Sequence, residues 1–396
     1  YVLIQLSIAT DDSARILSYT LTTHFRASSV HPVTFIRALA MTQQIRNLGV
    51  NLPGKPGANN AITDVAGVSV GHHTLISGHG QRIEGQGPVR TGVTAIIPSS
   101  PDLRSVFAAG YSLNGAGELT GMHWIEESGI LTGPICITNT HSVGAVHEAV
   151  IQWMNQREMA SDMPFCLPVV GETYDGFLND INGFHVKAEH VFKALDGASA
   201  GKVAQGNVGG GTGMICHQFK GGIGSASRQV TIDSADYTLG VLVQANYGQR
   251  ESLTINGVPV GSQITDLMPT IGLGEKGSII VIIACDAPLL PHQLKRLARR
   301  VPMGMAKVGS YAGNLSGDIF IAFSTANTVA AESPLIDLQM LPNQQIEPLF
   351  KATVEATEEA ILNALTAAET MTGINGTTVH QLPHDRVRGL VGKYGR

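Results

Sequence analysis

The run Gly277-Ser278-Ile279-Ile280-Val281-Ile282-Ile283-Ala284-Cys285-Asp286 opens an apolar strand deep inside the chain. Residues Ile279–Ala284 are apolar at every position, with no alternation, so both faces of the strand must be covered. A glycine followed by a hydroxyl residue heads it. Glycine has no Cβ, so the backbone there can strain and the hydroxyl can approach the preceding carbonyl. If the Gly277–Ser278 peptide bond breaks, Ser278 gains an α-amine with a reference pKa of about 8 and carries nucleophile and base together. Gly-Ser also starts many ordinary strands, so the dipeptide needs support from the rest of the chain.

Downstream, Pro288–Pro291 turns the chain and Pro291 suits the first turn of a helix. That helix presents Leu294, Leu297 and Val301 inward and Lys295, Arg296, Arg299 and Arg300 outward as a solvated face, and Pro302 ends or kinks it. A glycine-bounded stretch, Gly309–Gly317, leads into a second strand over Asp318–Ser324. A long helix is predicted over Gln345–Met371, starting near Pro348 and closed by Gly373. Upstream, Ile62–Val65, Val68–Val70, Gly92–Ile97 and Tyr237–Gln244 read as strands, and His141–Met154 and Val186–Leu195 as helices. In the first of these helices Val143, Val146, Val150 and Ile151 share a face with Trp153 beside it. Strands and helices interleave without the strict alternation of a doubly wound fold.

Composition narrows the function classes. The 396 residues carry 43% hydrophobic and 14% charged side chains with 46 glycines, a globular pattern. A net charge of −5 and 5% aromatic residues offer neither a basic face nor stacking platforms for nucleic acid. No apolar run reaches the roughly 18 residues of a membrane helix. Cys136, Cys166, Cys216 and Cys285 lie far apart without ligand spacing and read as buried thiols. His147-Glu-Ala-Val-Ile151 lacks the second histidine of a zinc hydrolase motif, so no metal or cofactor is expected. Tyr1–Ala40 lacks the layout of a signal peptide and reads as an extension ahead of Met41, or as an arm packing on a partner. A cytoplasmic protein is the expectation.

Glycine-rich Gly206–Gly213 fails both phosphate-loop templates: Met214 stands where the last glycine of GxGxxG should be, and Thr212 where a P-loop lysine should be. A close-packed loop beside a narrow pocket fits better.

A nucleophile requires a base, an orienting group and oxyanion donors. Ser316 and Asp318 stand two apart at the mouth of the strand that follows, which puts them on one face, although Ser-Gly-Asp is also common turn chemistry. Asn246 ends another strand and carries an amide suited to an oxyanion.

Taken together, these segments resemble the DmpA-type family of self-processing aminopeptidases, which includes L-aminopeptidase/D-amidase-esterases and β-peptidyl aminopeptidases. The resemblance runs from about residue 46 to 389. It is carried by Asn60–Val65 with Val70-Gly-His72, Arg90–Ile97, Asn114–Gly121 into Trp124–Gly129, Thr138–Gly144, Val169–Gly176, Gly206–Met214, Leu242–Asn246, Gly277–Gln293 and Phe323–Asn327. Residues 1–40 have no counterpart.

The resemblance implies an α+β fold, a four-layer αββα sandwich like the N-terminal-nucleophile hydrolases but with different connectivity. It implies a single domain over residues 41–396, cleaved between Gly277 and Ser278 into 41–277 and 278–396, with the cleaved units forming a homo-oligomer. By the same resemblance, Ser278 is the nucleophile and Ser316 and Asp318 assist and orient it. Some relatives carry glutamate in place of Asp318, one methylene longer. Asn246 would line the oxyanion hole, Glu172 would bind the amino group of a small peptide or amino-acid amide, and Tyr174 would shape or polarise the site. Cys285 departs from an expected threonine at a strand-interior position. Two other classes stand beside this reading. An acyltransferase of the ornithine acetyltransferase type would use a threonine nucleophile, and a non-catalytic assembly protein would keep the Gly277–Ser278 bond.

Overall fold

A computed structural model describes residues 43–157, 165–270, 277–327, 329 and 335–395. Residues 1–40, read above as an extension, lie outside that set. The strands in chain order are β1 (Ser69–Ser77), β2 (Val89–Ile97), β3 (Val106–Gly115), β4 (Ile130–Leu131), β5 (Ile135–Asn139), β6 (Val169–Thr173), β7 (Ile215–Cys216), β8 (Phe219–Lys220), β9 (Gly222–Ile232), β10 (Ala235–Asn246), β11 (Ser278–Cys285), β12 (Gly317–Ser324), β13 (Met371–Thr372) and β14 (Thr378–Val379). The helices are α1 (Met122–Ser128), α2 (Val143–Asn155), α3 (Ala188–Asp196), α4 (Val260–Gln263), α5 (Pro291–Ala298), α6 (Val301–Val308), α7 (Glu347–Ala367) and α8 (His384–Lys393).

The apolar run after Ser278 organises the layers. All eight residues of β11 are buried. Ile280, Ile282 and Ala284 enter a cluster with Ile96, Ile137 and Val169 of β2, β5 and β6. On the opposite face Ile279, Val281, Ile283 and Cys285 pack with Leu294, Leu297, Ala360 and Leu365 of α5 and α7. The strand is therefore central in a six-stranded sheet of order β4-β3-β12-β11-β10-β9, stacked on a four-stranded sheet of order β1-β2-β5-β6. The outer face of the smaller sheet is covered by α2 and α3, through Val146, Val150, Val191 and Leu195 against Val93, Ala95, Cys136 and Val170. Helix, sheet, sheet and helix make the αββα sandwich expected from the sequence.

Several elements differ from the sequence reading. Ile62–Asp64 forms a 3-10 turn, not a strand. The Asp64 carboxylate accepts from the Asn59 and Ala61 amides, and Ile62 N donates to Ser225 Oγ, so side chains take the amides a strand partner would need. In α2 the buried face is Val146, Ala149, Val150, Trp153 and Met154. Ile151 lies at its margin, and Trp153 is inside, donating from Nε1 to Asp196 Oδ1 at 2.8 Å. Pro302 starts α6 in its first turn after α5 has ended at Ala298.

A buried ion network joins segments far apart in the chain. Glu359 of α7 accepts from Arg46 Nε at 2.7 Å, from Arg228 Nη2 at 2.7 Å and from Asn60 Nδ2 at 2.6 Å. The Glu359 side chain is 0% exposed and that of Arg228 1%. Removing one partner of a buried pair strands the other charge, at a cost of about 3–5 kcal/mol. Glu359→Ala is expected to lower the thermal midpoint by several degrees, and an unchanged melt would show that the network contributes nothing.

Candidate active site

Strand direction gathers the site at one end of the sandwich. β11 and β12 are parallel and start together, with Ser278 opposite Gly317. β10 runs antiparallel to β11 and ends there, with Asn246 directly opposite Ser278. Side chains of directly opposed residues are close neighbours, with Cβ atoms about 4.5–5.5 Å apart. Ser278 and Asn246 are both buried.

The Ser278 hydroxyl accepts from the Gly317 amide at 3.3 Å. The residues on either side of Gly317 form the anticipated pair, Ser316 Oγ donating to Asp318 Oδ1 at 2.6 Å, both fully buried. One peptide amide thus connects the nucleophile candidate to the Ser316/Asp318 pair. The aspartate reaches the serine despite being one methylene shorter than the glutamate of some relatives. Asp318 N in turn donates to Asn114 Oδ1 at 2.8 Å, so Asn114 of β3 fixes the main chain of the pair.

The Asn246 amide is oriented from both ends. Its Oδ1 accepts from Ile215 N at 2.8 Å and its Nδ2 donates to the Tyr174 carbonyl at 3.0 Å. A donor and an acceptor at opposite ends allow only one amide orientation. Nδ2 keeps a second proton beyond the one given to Tyr174. Tyr174 touches this group through its carbonyl. Tyr174 is exposed, and its ring lies edge-on to Phe177, with centroids 5.4 Å apart.

Glu172, near the end of β6, is buried. Its Oε1 accepts from Glu118 N at 3.0 Å, and Thr140 Oγ1 donates to its Oε2. Burial pushes its carboxyl above the usual range, the Thr140 and Glu118 hydrogen bonds pull it down, and the Glu118 carboxylate pushes it up again. Glycine brings this carboxylate close to the sheet end. A Cβ on Gly117 would lie 3.2 Å from Glu172 Oε1 and 3.1 Å from Gly317 Cα. A side chain there would press both neighbours back by a few tenths of an ångström, so glycine suits the position.

The loop Gly206–Gly213 packs as expected of a tight loop. Gly209–Gly211 form a buried 3-10 turn, and a Cβ on Gly210 would lie 2.6 Å from the Ile137 carbonyl. Sequence reasoning missed two supports, Asn114 and Thr140, and the burial of Lys220. The first two lie in segments quoted for the resemblance, but nothing in their spacing gives them a role. Lys220 left a trace as the lone charge between Phe219 and the glycines that follow. Among the described residues no cluster of His, Cys, Asp or Glu is arranged to hold a metal ion, none of the four cysteines is in a disulfide, and no helix is long and apolar enough to cross a membrane.

The chain matches the model of peptidase family S58 over residues 60–379. It is 51% identical over 375 residues to the β-peptidyl aminopeptidase BapA of Sphingosinicella microcystinivorans, covering 91% of this chain and 94% of that protein. A solved structure of an L-aminopeptidase D-Ala-esterase/amidase from Ochrobactrum anthropi superposes with a TM-score of 0.84 at 46% identity, covering 89% of this chain and 99% of the other. That structure is described as a prototype for the serine aminopeptidases and a new variant among the Ntn hydrolase fold. A Burkholderia sp. β-aminopeptidase superposes with a TM-score of 0.82 at 46% identity, covering 89% and 99% of the two chains. With the match to the family model spanning well over half of its length, the chain belongs to peptidase family S58.

Proposed function

We propose that this peptide-bond hydrolase cleaves itself between Gly277 and Ser278, and that the freed Ser278 is then the nucleophile of a serine aminopeptidase and amidase. The register Asn246–Ser278–Gly317 carries the reading, because it brings a hydroxyl, an oriented amide and a buried Ser/Asp pair to one sheet end. In the precursor, Ser278 Oγ attacks the Gly277 carbonyl carbon and the Gly277–Ser278 C–N bond breaks. The resulting ester is hydrolysed by water, leaving a carboxylate on Gly277 and an amine on Ser278. In the mature site that amine takes the Oγ proton as Oγ attacks the substrate carbonyl. Asn246 Nδ2 donates to the oxyanion, and the proton passes to the leaving amine. Water then releases the acid and regenerates Ser278. Ser316 and Asp318 support the transiently protonated amine.

Glu172 holds the substrate ammonium, so the free N-terminus is recognised and chain interiors are not. The glycines around it favour small first residues, and the names of the relatives add β-amino-acyl residues to glycine and alanine. The Glu359 network joins residues 46, 60 and 228 to α7, on opposite sides of the cut, and would keep the two pieces together. We expect the cleaved units to assemble into a homo-oligomer in the cytoplasm.

Intact mass and N-terminal sequencing of the purified protein test the reading. Two pieces are expected, the smaller starting Ser-Ile-Ile-Val, with hydrolysis of alanine and β-alanine amides and none of their N-acetyl forms. A single uncut chain, or equal rates on the acetylated substrates, would reject it.

Glu172→Gln is expected to lower kcat/KM by about 10–100-fold, mainly through KM, since it removes the charge on a buried hydrogen-bonded acceptor. A carboxyl with a raised pKa is charged only above it, so wild-type kcat/KM should fall as pH drops through that range. Glu172→Gln should lose that dependence, and an unchanged pH profile would remove Glu172 from the binding role.

A further inference from the structure

We infer that Lys220 is a positioning residue that polarises the oxyanion amide from behind, through one peptide unit. The Lys220 side chain is 0% exposed and is the only lysine among the fully buried residues described. Its Nζ donates to the carbonyls of Met214 at 2.8 Å, Gly221 at 2.8 Å and Gly211 at 3.3 Å. All three acceptors are main-chain oxygens, so among the described residues the ammonium is buried without a hydrogen-bonded carboxylate, which is costly.

The Met214 contact gives the cation a direction. The peptide unit whose oxygen receives Lys220 Nζ is the one whose amide, Ile215 N, donates to Asn246 Oδ1 at 2.8 Å. Lys220 also pairs directly with Ile215 across the β7–β8 ladder, which fixes the geometry. The series runs from the ammonium to the Met214 carbonyl, through the Ile215 amide to Asn246 Oδ1, and out at Nδ2. Hydrogen bonds in series polarise one another, and a buried charge at one end strengthens donation at the other. Each link pulls electron density toward Lys220, which makes Nδ2–H a stronger donor to negative charge beside Ser278.

The titratable groups facing Lys220 are Asp175, from the turn after β6, and Cys216 of β7. Burial lowers the Lys220 pKa to about 7, with Cys216 and Asp175 opposing the shift. Burial likewise raises Asp175 to about 7, against hydrogen bonds that include Asn179 Nδ2 at 3.0 Å. The charge on Lys220 is therefore present below this range and lost as pH rises through it.

The inference rests on the reading of Asn246 as oxyanion donor, and a double-mutant cycle separates the two. Wild type, Lys220→Met, Asn246→Ala and the double variant are compared by kcat and KM on an alanine amide, with rates normalised to the cleaved fraction measured by mass. Lys220→Met is expected to lower kcat about tenfold with KM nearly unchanged, and to change kcat less than about twofold when Asn246 is already alanine. An equal loss in both backgrounds, or no loss in the single variant, overturns the role of Lys220 and leaves Asn246 in place. An unchanged kcat in Asn246→Ala overturns the oxyanion reading and the inference with it. Should Lys220→Met fail to fold, the kcat–pH profiles of wild type and Asn246→Ala decide. An alkaline limb near pH 7 in wild type that is absent from Asn246→Ala supports the relay, and the same limb in both rejects it.

Discussion

Ser278→Ala is expected to leave one uncut polypeptide of 41.7 kDa with no measurable amidase activity. In the proposed mechanism one oxygen acts twice, first on the Gly277 carbonyl and then on substrate, so its removal should stop both reactions. Serine nucleophiles elsewhere lose on the order of 10⁶ in kcat on such a change. The fold should hardly notice. Among the described residues Ser278 Oγ accepts one long hydrogen bond, 3.3 Å from Gly317 N, and the main chain of β11 is held by β10 and β12 on either side. A loss of about 1 kcal/mol or less is expected. The variant should therefore be folded, uncut and inactive at once. Intact mass, near-ultraviolet circular dichroism and a sensitive amide assay read these three properties separately. A variant still cut at the same bond would point to an outside protease, and an uncut variant that still hydrolyses amides would place the nucleophile elsewhere.

What was legible in the sequence depended on whether a signal was local. Residues Ile279–Ala284 announced a strand covered on both faces because period and apolarity belong to the segment itself. The same holds for the long helix, observed as Glu347–Ala367 inside the predicted Gln345–Met371. Ile62–Val65 misled because a β-branched run cannot show that Ser225, more than 160 positions away, supplies a hydrogen bond to Ile62. Site residues divide in the same way. Ser316 and Asp318 announced each other by two-residue spacing, and their hydrogen bond follows from it. The supports of Asp318, Glu172 and Asn246 come from β3, from the residue just after β5 and from the β7–β8 ladder, whose meeting is a property of sheet order and invisible to spacing. Lys220 is the extreme case. Its charge suggests a surface, and only the fold shows three carbonyls closing over it.

Asn246→Ala should lower kcat about 10²–10³-fold while moving KM little, the usual cost of removing one oxyanion donor. The amide is held from both ends: Ile215 N donates to Oδ1, Nδ2 donates one proton to the Tyr174 carbonyl, and Nδ2 keeps its other proton on a side chain whose residue pairs directly with Ser278. Alanine deletes the donor and leaves the Ile215 amide without its acceptor, so a stability loss of about 1–3 kcal/mol should accompany the kinetic one. Asn246→Asp separates the two effects. An aspartate oxygen can still accept from Ile215 N, so stability should recover in part. Its second oxygen would then face the Tyr174 carbonyl and the developing oxyanion, where negative charge is least tolerated, so the aspartate variant should be slower than alanine even though it is more stable. Initial rates normalised to the cleaved fraction, together with thermal midpoints, test both orders. If kcat instead followed stability, with aspartate the faster of the two, Asn246 would be a structural clamp between the sheets, and the oxyanion would have to be held by main-chain amides.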